Sequence, residues 1–288
     1  MVLPTQDRLK RVVDKIMGLP TLPTILQNIN KLMMNPKTSA KEVAQLVSND
    51  PAITAKILRV VNSSFYGFPN RINTVTHAIV ILGFNTIKSI VLSTSIFDVF
   101  KKSPTATLFD REAFWRHSIA CGAAAKVLAK RAGFTVLEEF FIAGLLHDVG
   151  KIVIDQHVHE DFVKIMETCM SKSLLMIEAE QEVLGTTHAE VGSWLCQKWN
   201  LAKGLVECLG CHHNPPLASD SPKHVAIIHI ADILVRALQL GSGGDRRIPQ
   251  VSDHAWNLID IQAGDMPRLM AEVAEETERA LIFMDFAK

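Results

Sequence analysis

The sequence predicts an all-α protein. Apolar residues recur at the three- and four-residue spacing of a helix face along nearly the whole chain. Alternation of apolar and polar residues, which is the pattern of a half-buried strand, never lasts more than a few residues. Proline-containing and turn-rich segments divide the helical pattern into many pieces. Together these observations favour a protein built from helices without a sheet.

Helix boundaries in the first hundred residues follow from breakers and caps. Ser39 and Glu42 have the spacing of a capping box, which predicts a helix that begins after Ser39. Pro51 predicts another start, because proline fits the first helical turn. Gly83 is expected to separate two further helices. The other predicted helices cover about residues 6–17, 24–34, 74–82 and 84–100, with breakers at 19–23 and a loop at 62–71.

The rest of the chain continues the helical pattern. The polar, proline-containing stretch 101–107 is interpreted as a subdomain boundary. Helices are predicted at about 110–132, 138–148, 158–170, 174–183, 187–199, 202–212, 223–240 and 265–285. The glycines of GSGGDRR (241–247) predict a mobile loop. The predicted domains are an N-terminal helical subdomain (1–103), a second helical subdomain (104–240), and a flexible loop with a C-terminal helix (241–288).

Composition disfavours several classes of function. The 30 basic residues balance the 30 acidic ones, so charge gives no attraction for nucleic acid or a membrane surface. Aromatic residues are few, which disfavours a base-stacking platform. No uninterrupted apolar run approaches the roughly 18 residues of a membrane span, and the N-terminus lacks the apolar region of a signal peptide. We expect a cytoplasmic protein with no nucleic-acid and no membrane partner.

The five cysteines predict neither disulfides nor a zinc site. An odd number in a chain expected to be cytoplasmic argues against a disulfide framework. Cys208 and Cys211 form a CxxC, but no second CxxC or CxxH completes a zinc site. Two small residues packed on one helix face explain the pair.

The most distinctive polar group lies in AGLLHDVGKIVI (143–154). His147 and Asp148 end an apolar run there. Burying an imidazole and a carboxylate is costly unless they pair with each other or hold a metal. Asp148 alone could instead cap a helix or pair with Lys151. Adjacent helical side chains diverge by about 100°, so both reach one centre only near a helix end, which Gly150 permits.

Three other apolar segments carry histidines that simpler explanations could cover. His117 could be an ordinary core histidine. His188 could follow Thr187 as the helix N-cap and be an ordinary first-turn residue. The doublet His212–His213 comes before two prolines, which end the helix and place both rings at its terminus.

Asp232 is a carboxylate among apolar residues. It could form an ion pair with Arg236 one turn later. If Asp232 is a metal ligand, His229, three residues earlier, could orient it. The joint occurrence of such groups in five apolar segments nevertheless favours a metal site. Imidazole suits iron, manganese, nickel and zinc, and one carboxylate can bridge two ions about 3.5–4 Å apart. The predicted ligands are His117, His147, Asp148, His188, His212, His213 and Asp232, and we expect two divalent ions, iron in preference to manganese, nickel or zinc.

Several motifs resemble one known family. LPTLPTILQNINKLM (19–33), SNDPAITAKILRVVNSSFYG (48–67) and HAIVILGFNTIKSIVL (77–92) are similar to the HDOD family, the HD-related output domain of bacterial signalling proteins. The order H…HD…H…HH…D, with HDVGK at its second position, resembles the wider HD superfamily of metal-dependent phosphohydrolases. The resemblance spans about residues 15–240. It implies an N-terminal helical bundle packed on an HD-type helical core. It also implies a signalling role, and many members of the family have lost the HD ligands.

The second half also resembles the HD-GYP phosphodiesterases. That resemblance implies one ion held by His117, His147, Asp148 and Asp232, and a second held by Asp148, His188, His212 and His213. It also implies that Lys151 contacts substrate phosphate, so Asp148 and Lys151 are the implied catalytic residues.

The chain departs from the HD-GYP pattern in two places. Asn214, Pro215 and Pro216 follow the histidine doublet, where that family has a glutamate and a Gly-Tyr-Pro signature. Ala113 replaces a glutamate that helps to hold a third metal. These departures disfavour cyclic di-GMP hydrolysis and a third metal.

Two functions compete. A regulatory module would keep the metal centre for structure or sensing, and would bind a signalling protein through its N-terminal helical subdomain. A metal-dependent phosphohydrolase would instead cleave a nucleotide or cyclic dinucleotide, that is, a phosphate-containing small molecule. An oxygenase is a third alternative, because some HD-fold di-iron proteins oxidise substrates. We favour the regulatory module.

Overall fold

The structure is a computed structural model, which describes residues 21, 23–33, 35, 37–100 and 109–287. The helix predicted at 6–17 and the boundary predicted at 101–107 lie outside the described residues. Helices joined by loops make up the described part of the chain, and it contains no strand. The prediction of an all-α fold is confirmed.

Contacts divide the chain into two compact units. Among the described residues, the smaller unit contains 21–100 and 278–287, and the larger unit contains 109–277. This division differs from the one predicted from sequence, which set residues 241–288 apart. Residues 241–277 pack within the larger unit instead.

The smaller unit follows the predicted helix starts. Its helices are α1 (Thr24–Met33), α2 (Ala40–Ser48), α3 (Pro51–Val61) and α4 (Val75–Val99). The capping box before α2 is confirmed, because Ser39 Oγ accepts a hydrogen bond from the Glu42 amide and Glu42 Oε2 accepts one from the Ser39 amide. Gly83 breaks α4 with φ 82° and ψ 166°, which agrees with the two helices predicted there.

Helix α4 is the one described helix that is long and apolar enough to cross a membrane by length and composition, and more than half of its apolar window is buried within the protein. No span was predicted here, because the apolar residues of this helix do not form an uninterrupted run. Asn85, Thr86 and Lys88 interrupt the run.

The larger unit begins with a long helix, α5. Its helices are α5 (Arg111–Arg131), α6 (Glu138–Leu146), α7 (Val149–His157), α8 (His159–Lys172), α9 (Met176–Leu184), α10 (His188–Lys198), α11 (Lys203–Cys211), α12 (Pro222–Ala237) and α13 (Asp253–Ile259); α14 (Met266–Ala280) starts in this unit and ends in the smaller one, followed there by α15 (Met284–Ala287). Helices α7 and α13 were not predicted. The start of α7 was not recognised because the apolar pattern continues on both sides of His147 and Asp148. Helix α13 has only seven residues, which is too short for a clear pattern.

Glycines allow two helix pairs of the larger unit to touch through their backbones. A Cβ on Gly144 of α6 would lie 2.6 Å from the Cys121 carbonyl oxygen of α5. A Cβ on Gly150 of α7 would lie 2.0 Å from the His188 carbonyl oxygen of α10. These close approaches bring the helix ends that carry polar side chains toward one another.

Candidate metal centre

All the ligands predicted from the sequence lie in one cluster of the larger unit. His117 lies in α5, His147 and Asp148 between α6 and α7, His188 at the start of α10, His212 and His213 after α11, and Asp232 in α12. Each is at most 2% exposed except His213, which is half-buried. The donor atoms form two groups, within each of which they lie no more than 4.8 Å apart. One group is His117, Cys121, His147 and Asp232, and the other is Asp148, His188, His212 and His213.

Asp148 faces both groups. Its Oδ2 lies 3.2 Å from His147 Nε2 and 3.7 Å from His117 Nε2. Its Oδ1 lies 3.0 Å from His188 Nε2 and 3.7 Å from His212 Nε2. Because each oxygen faces a different group, this carboxylate is shared by the two donor groups.

Three histidines are oriented by hydrogen bonds at the ring nitrogen remote from the cluster. His147 Nδ1 donates to the Gly144 carbonyl at 2.6 Å, and His212 Nδ1 donates to the Leu209 carbonyl at 2.8 Å. His188 Nδ1 lies 2.6 Å from Glu180 Oε2. Protons held on Nδ1 leave the Nε2 lone pairs directed into the cluster, as in metal-binding histidines.

The cluster contains buried polar atoms that have no hydrogen-bond partner. These are His147 Nε2, His212 Nε2 and Asp148 Oδ1. In addition, His188 Nε2 and His213 Nε2 lie 2.9 Å apart. Buried polar atoms are rarely left unsatisfied, and divalent cations satisfy converging nitrogen and carboxylate lone pairs. The residues present therefore fit a divalent metal ion.

Electrostatics favours the metal-binding forms of several side chains. Burial opposes the charged form of Asp148, but His147, Lys151 and His188 hold its pKa well below the usual range. Burial lowers the pKa of His212 to about 4, so its ring is neutral. Burial also lowers the pKa of His147, yet the neighbouring Asp148 outweighs it and raises that pKa to about 9. With no ion bound, a second proton at His147 Nε2 is therefore favoured, and a bound ion would take the place of that proton.

Lys151 is fully buried beside the shared carboxylate. Its ammonium donates to Asp148 Oδ2 at 2.6 Å and to the Gly243 carbonyl at 2.8 Å. Asp148 thus forms the ion pair with Lys151 that the sequence suggested, and it also belongs to the cluster.

Residues 241–247, which we call the cap segment, pack on the cluster. The Ser242 amide donates to the Ala113 carbonyl at 3.0 Å, and Arg236 Nη1 donates to Asp245 at 3.0 Å. Gly241 has φ +81°, and a Cβ there would lie 2.4 Å from the His117 amide nitrogen. The sequence predicted a mobile loop, whereas these glycines permit close approach to α5 and to Lys151.

Other simple explanations also coexist with the cluster. Thr187 caps α10 by accepting a hydrogen bond from the Glu190 amide, and His188 still faces the cluster. Arg236 Nε donates to Asp232 Oδ1 at 2.9 Å, while the same oxygen lies 3.1 Å from His117 Nε2.

His229 supports the cluster through the backbone. Its Nδ1 donates to the His212 carbonyl at 2.7 Å, and its Nε2 accepts from the Ser252 amide. Cys208 is buried and Cys211 is half-buried, and neither belongs to the two donor groups of the described residues.

Two residues of the site, Cys121 and Glu180, were not predicted from the sequence. Cys121 lies one helical turn after His117, with its Sγ 3.5 Å from His117 Nε2, and that spacing could have revealed it. Glu180 is fully buried and accepts from both the amide and the ring of His188. No local signal distinguishes it from the neighbouring glutamates of α9.

Replacing Glu180 with glutamine should weaken metal binding about 10- to 100-fold, because residues that orient a ligand typically contribute this much. The measurement is metal affinity by competition with a coloured chelator. Glu182→Gln is the matched control, since Glu182 lies on the same helix and is exposed. Equal affinities in the two variants would show that Glu180 does not orient a ligand.

Comparisons with known proteins give one consistent result. A family model described as the HDOD domain matches residues 19–215. An HDOD domain protein of unknown function from Geobacter sulfurreducens is 26% identical with a TM-score of 0.79, and the match covers 96% of this chain and 98% of that one. A protein from Shewanella amazonensis SB2B, provisionally assigned as a phosphohydrolase, is 24% identical with a TM-score of 0.74 over 96% and 98% of the two chains, which shows a shared fold.

A curated relative is longer than this chain. An uncharacterized protein of Treponema pallidum (strain Nichols) is 25% identical over 271 residues, which are 93% of this chain and 51% of that protein. The chain thus spans about half the length of this relative.

Proposed function

The chain belongs to the HDOD domain family, and from this membership we propose that it is a cytoplasmic regulatory module of bacterial signal transduction. It carries a two-metal centre and acts through a partner protein that binds its N-terminal helical subdomain. The observation that supports this proposal best is that the candidate metal centre contains all the predicted donor residues but is almost completely buried.

Closure argues for structure or sensing over turnover. Catalytic metal sites keep a position open for water or substrate. Here the donors are buried, apart from the half-buried His213, and the Lys151 ammonium already donates a hydrogen bond to the Gly243 carbonyl. A substrate phosphate reaches Lys151 only if the cap segment moves.

The donor set agrees with two divalent ions. His117, His147 and Asp232 would hold one, His188, His212 and His213 the other, and Asp148 both. Imidazole-rich sites suit iron, our preferred assignment, as well as manganese, nickel and zinc.

A metal-dependent phosphohydrolase is the second candidate, and the position of Lys151 next to the shared Asp148 favours it. Bound divalent ions supply Lewis-acid chemistry, which lowers the pKa of water and neutralises phosphate charge. In this function, Lys151 would leave Gly243 and donate to a phosphate oxygen, while the apolar surroundings exclude water. The substrate class would be a nucleotide or cyclic dinucleotide.

One experiment separates the two functions. Protein purified without oxygen is analysed for metal and then assayed with cyclic dinucleotides, nucleotides and generic phosphoesters in the presence of Mn²⁺ or Fe²⁺. A regulatory module is expected to contain metal and to show no hydrolysis above that of Asp148→Ala. Hydrolysis by the wild type that disappears in Asp148→Ala would overturn the regulatory proposal in favour of the phosphohydrolase.

A further inference from the structure

A cavity of about 440 Å³ opens in the larger unit beside the cap segment. Its volume falls within the roughly 300–1,000 Å³ range of small-molecule sites. Three parts of the chain line it: residues 109–110, the region from Met166 to Leu174, and the cap residues Ser242 and 244–247. Gly243, whose carbonyl faces Lys151, is not part of the lining. The cap segment thus contacts the candidate metal centre through Gly241 and Gly243, and it lines the cavity with Ser242 and residues 244–247.

Part of the cavity lining is apolar. Met166, Met170 and Leu174 come from α8 and the turn after it, and Phe109 adds an aromatic ring. Burial raises the pKa of the Cys169 thiol to about 12, so this residue is an uncharged part of the same wall. Methionine side chains adapt to flat or irregular ligand surfaces. The wall suits an aromatic or aliphatic group.

Another part of the cavity lining is cationic. Arg246 is exposed, and within the described part of the chain its guanidinium has no ion pair or hydrogen bond. Arg247 is about half exposed and donates to the Ser173 carbonyl at 3.2 Å, while Glu178 lies 3.8 Å away. Guanidinium groups bind phosphate through paired hydrogen bonds.

The carboxylates of the lining are already engaged. Asp245 accepts hydrogen bonds from Arg236 Nη1 at 3.0 and 3.1 Å. Asp110 caps α5 by accepting from the Ala113 amide at 2.9 Å. They therefore leave the positive charge of Arg246 available to a ligand.

We propose that this cavity binds a small phosphate-bearing molecule that also has an aromatic body, of the size of a nucleoside monophosphate. The phosphate lies on Arg246 and Arg247, and the aromatic body lies against Met170 and the apolar wall. None of the donors of the candidate metal centre lines this cavity.

A consequence follows for the cap segment, and this step rests on the proposed metal-binding function. The ligand contacts Arg246 and Arg247 of the cap segment and Met170 of α8. It therefore stabilises the position in which the cap packs on Lys151, which we call the closed position. A ligand that binds the closed state favours that state by mass action. Bound metal is therefore released more slowly when the cavity is filled.

The binding test uses the full chain as purified, with calorimetry of AMP, adenosine and inorganic phosphate. AMP is expected to bind at least about ten-fold more tightly than adenosine or phosphate, because only AMP contacts both the apolar and the cationic part of the lining. Arg246→Gln/Arg247→Gln should weaken AMP binding at least about ten-fold, and Met170→Glu should abolish it. Each lost phosphate contact of this kind is typically worth a factor of ten or more. Arg268→Gln, at an exposed arginine outside the cavity, is the matched control.

Three results would overturn the proposal: no binding of AMP, unchanged affinity in the double arginine variant, or loss of binding in Asp148→Asn with retention in the double variant. The last result would place the phosphate in the metal centre.

The cap is tested separately. Trypsin cleaves after Arg246 and Arg247, and saturating AMP should slow cleavage of the wild type at these bonds. In metal-loaded protein, AMP should also slow metal transfer to a chelator. AMP binding and tryptic protection in a protein that takes up no metal would uphold the cavity site and refute the metal centre. AMP binding with no tryptic protection would refute the coupling to the cap.

Discussion

Replacing Asp148 with alanine is expected to remove both metal ions from the purified protein. Its two oxygens face different donor groups, so this one substitution takes a ligand from each. We expect metal affinity to fall by more than about 100-fold, beyond the 10- to 100-fold typical of a residue that only orients a ligand. Metal content per chain is measured by elemental analysis after purification.

The same substitution should destabilise the fold, because Lys151 keeps a buried charge without its carboxylate. Removing one partner of a buried ion pair costs about 3–5 kcal/mol in the free energy of unfolding. Asp148→Ala/Lys151→Met removes the unpaired charge as well. It should recover part of the stability without recovering metal, which separates the two effects.

Asp220→Ala serves as the control, since Asp220 is exposed and lies outside both donor groups. Retention of about two metal ions per chain by Asp148→Ala would refute the shared position of this carboxylate.

Replacing Gly150 with alanine should have the second large effect. The added Cβ would lie 2.0 Å from the His188 carbonyl oxygen and 2.9 Å from the Gly192 amide nitrogen. Both neighbours are backbone atoms, so α7 and α10 must move apart. Forcing extra atoms into a packed interior typically costs 1–3 kcal/mol, and we expect about 3 kcal/mol here. Chemical denaturation measures the loss.

Separation of α7 and α10 should also weaken metal binding, because Asp148 precedes one helix and His188 begins the other. Gly264→Ala is the control, since a Cβ at that glycine meets nothing within 4 Å. A Gly150→Ala protein as stable as the control would mean that the two helices tolerate a wider spacing.

The sequence predicted most of the helices because their boundaries carry local signals. The capping box at Ser39 and the proline at Pro51 both mark helix starts that the structure contains. The start of α7 carries no such signal. Asp148 is its N-cap residue but makes no side-chain capping bond, because its oxygens face Lys151 and the histidines.

The candidate site was predictable where polar residues interrupt apolar helices, as His117 and Asp232 do. Glu180 was not predictable in this way, because α9 is amphipathic and carries several glutamates. Its role depends on how close α9 lies to the start of α10, which is a tertiary relation. The contacts of the cap segment were not predictable for a similar reason, since glycine composition does not reveal close backbone contact; its mobility stays a prediction.

The hydrogen bonds that orient the three histidine rings differ in how they respond to mutation. His147 and His212 each donate to a main-chain carbonyl three residues earlier, an acceptor that every amino acid provides. Substitutions at positions 144 and 209 therefore leave the accepting carbonyl in place. His188 depends on the carboxylate of Glu180, which a single codon change removes. Among descendants of this chain, decay of the centre should therefore begin at the His188 side, with the other two rings still correctly aimed.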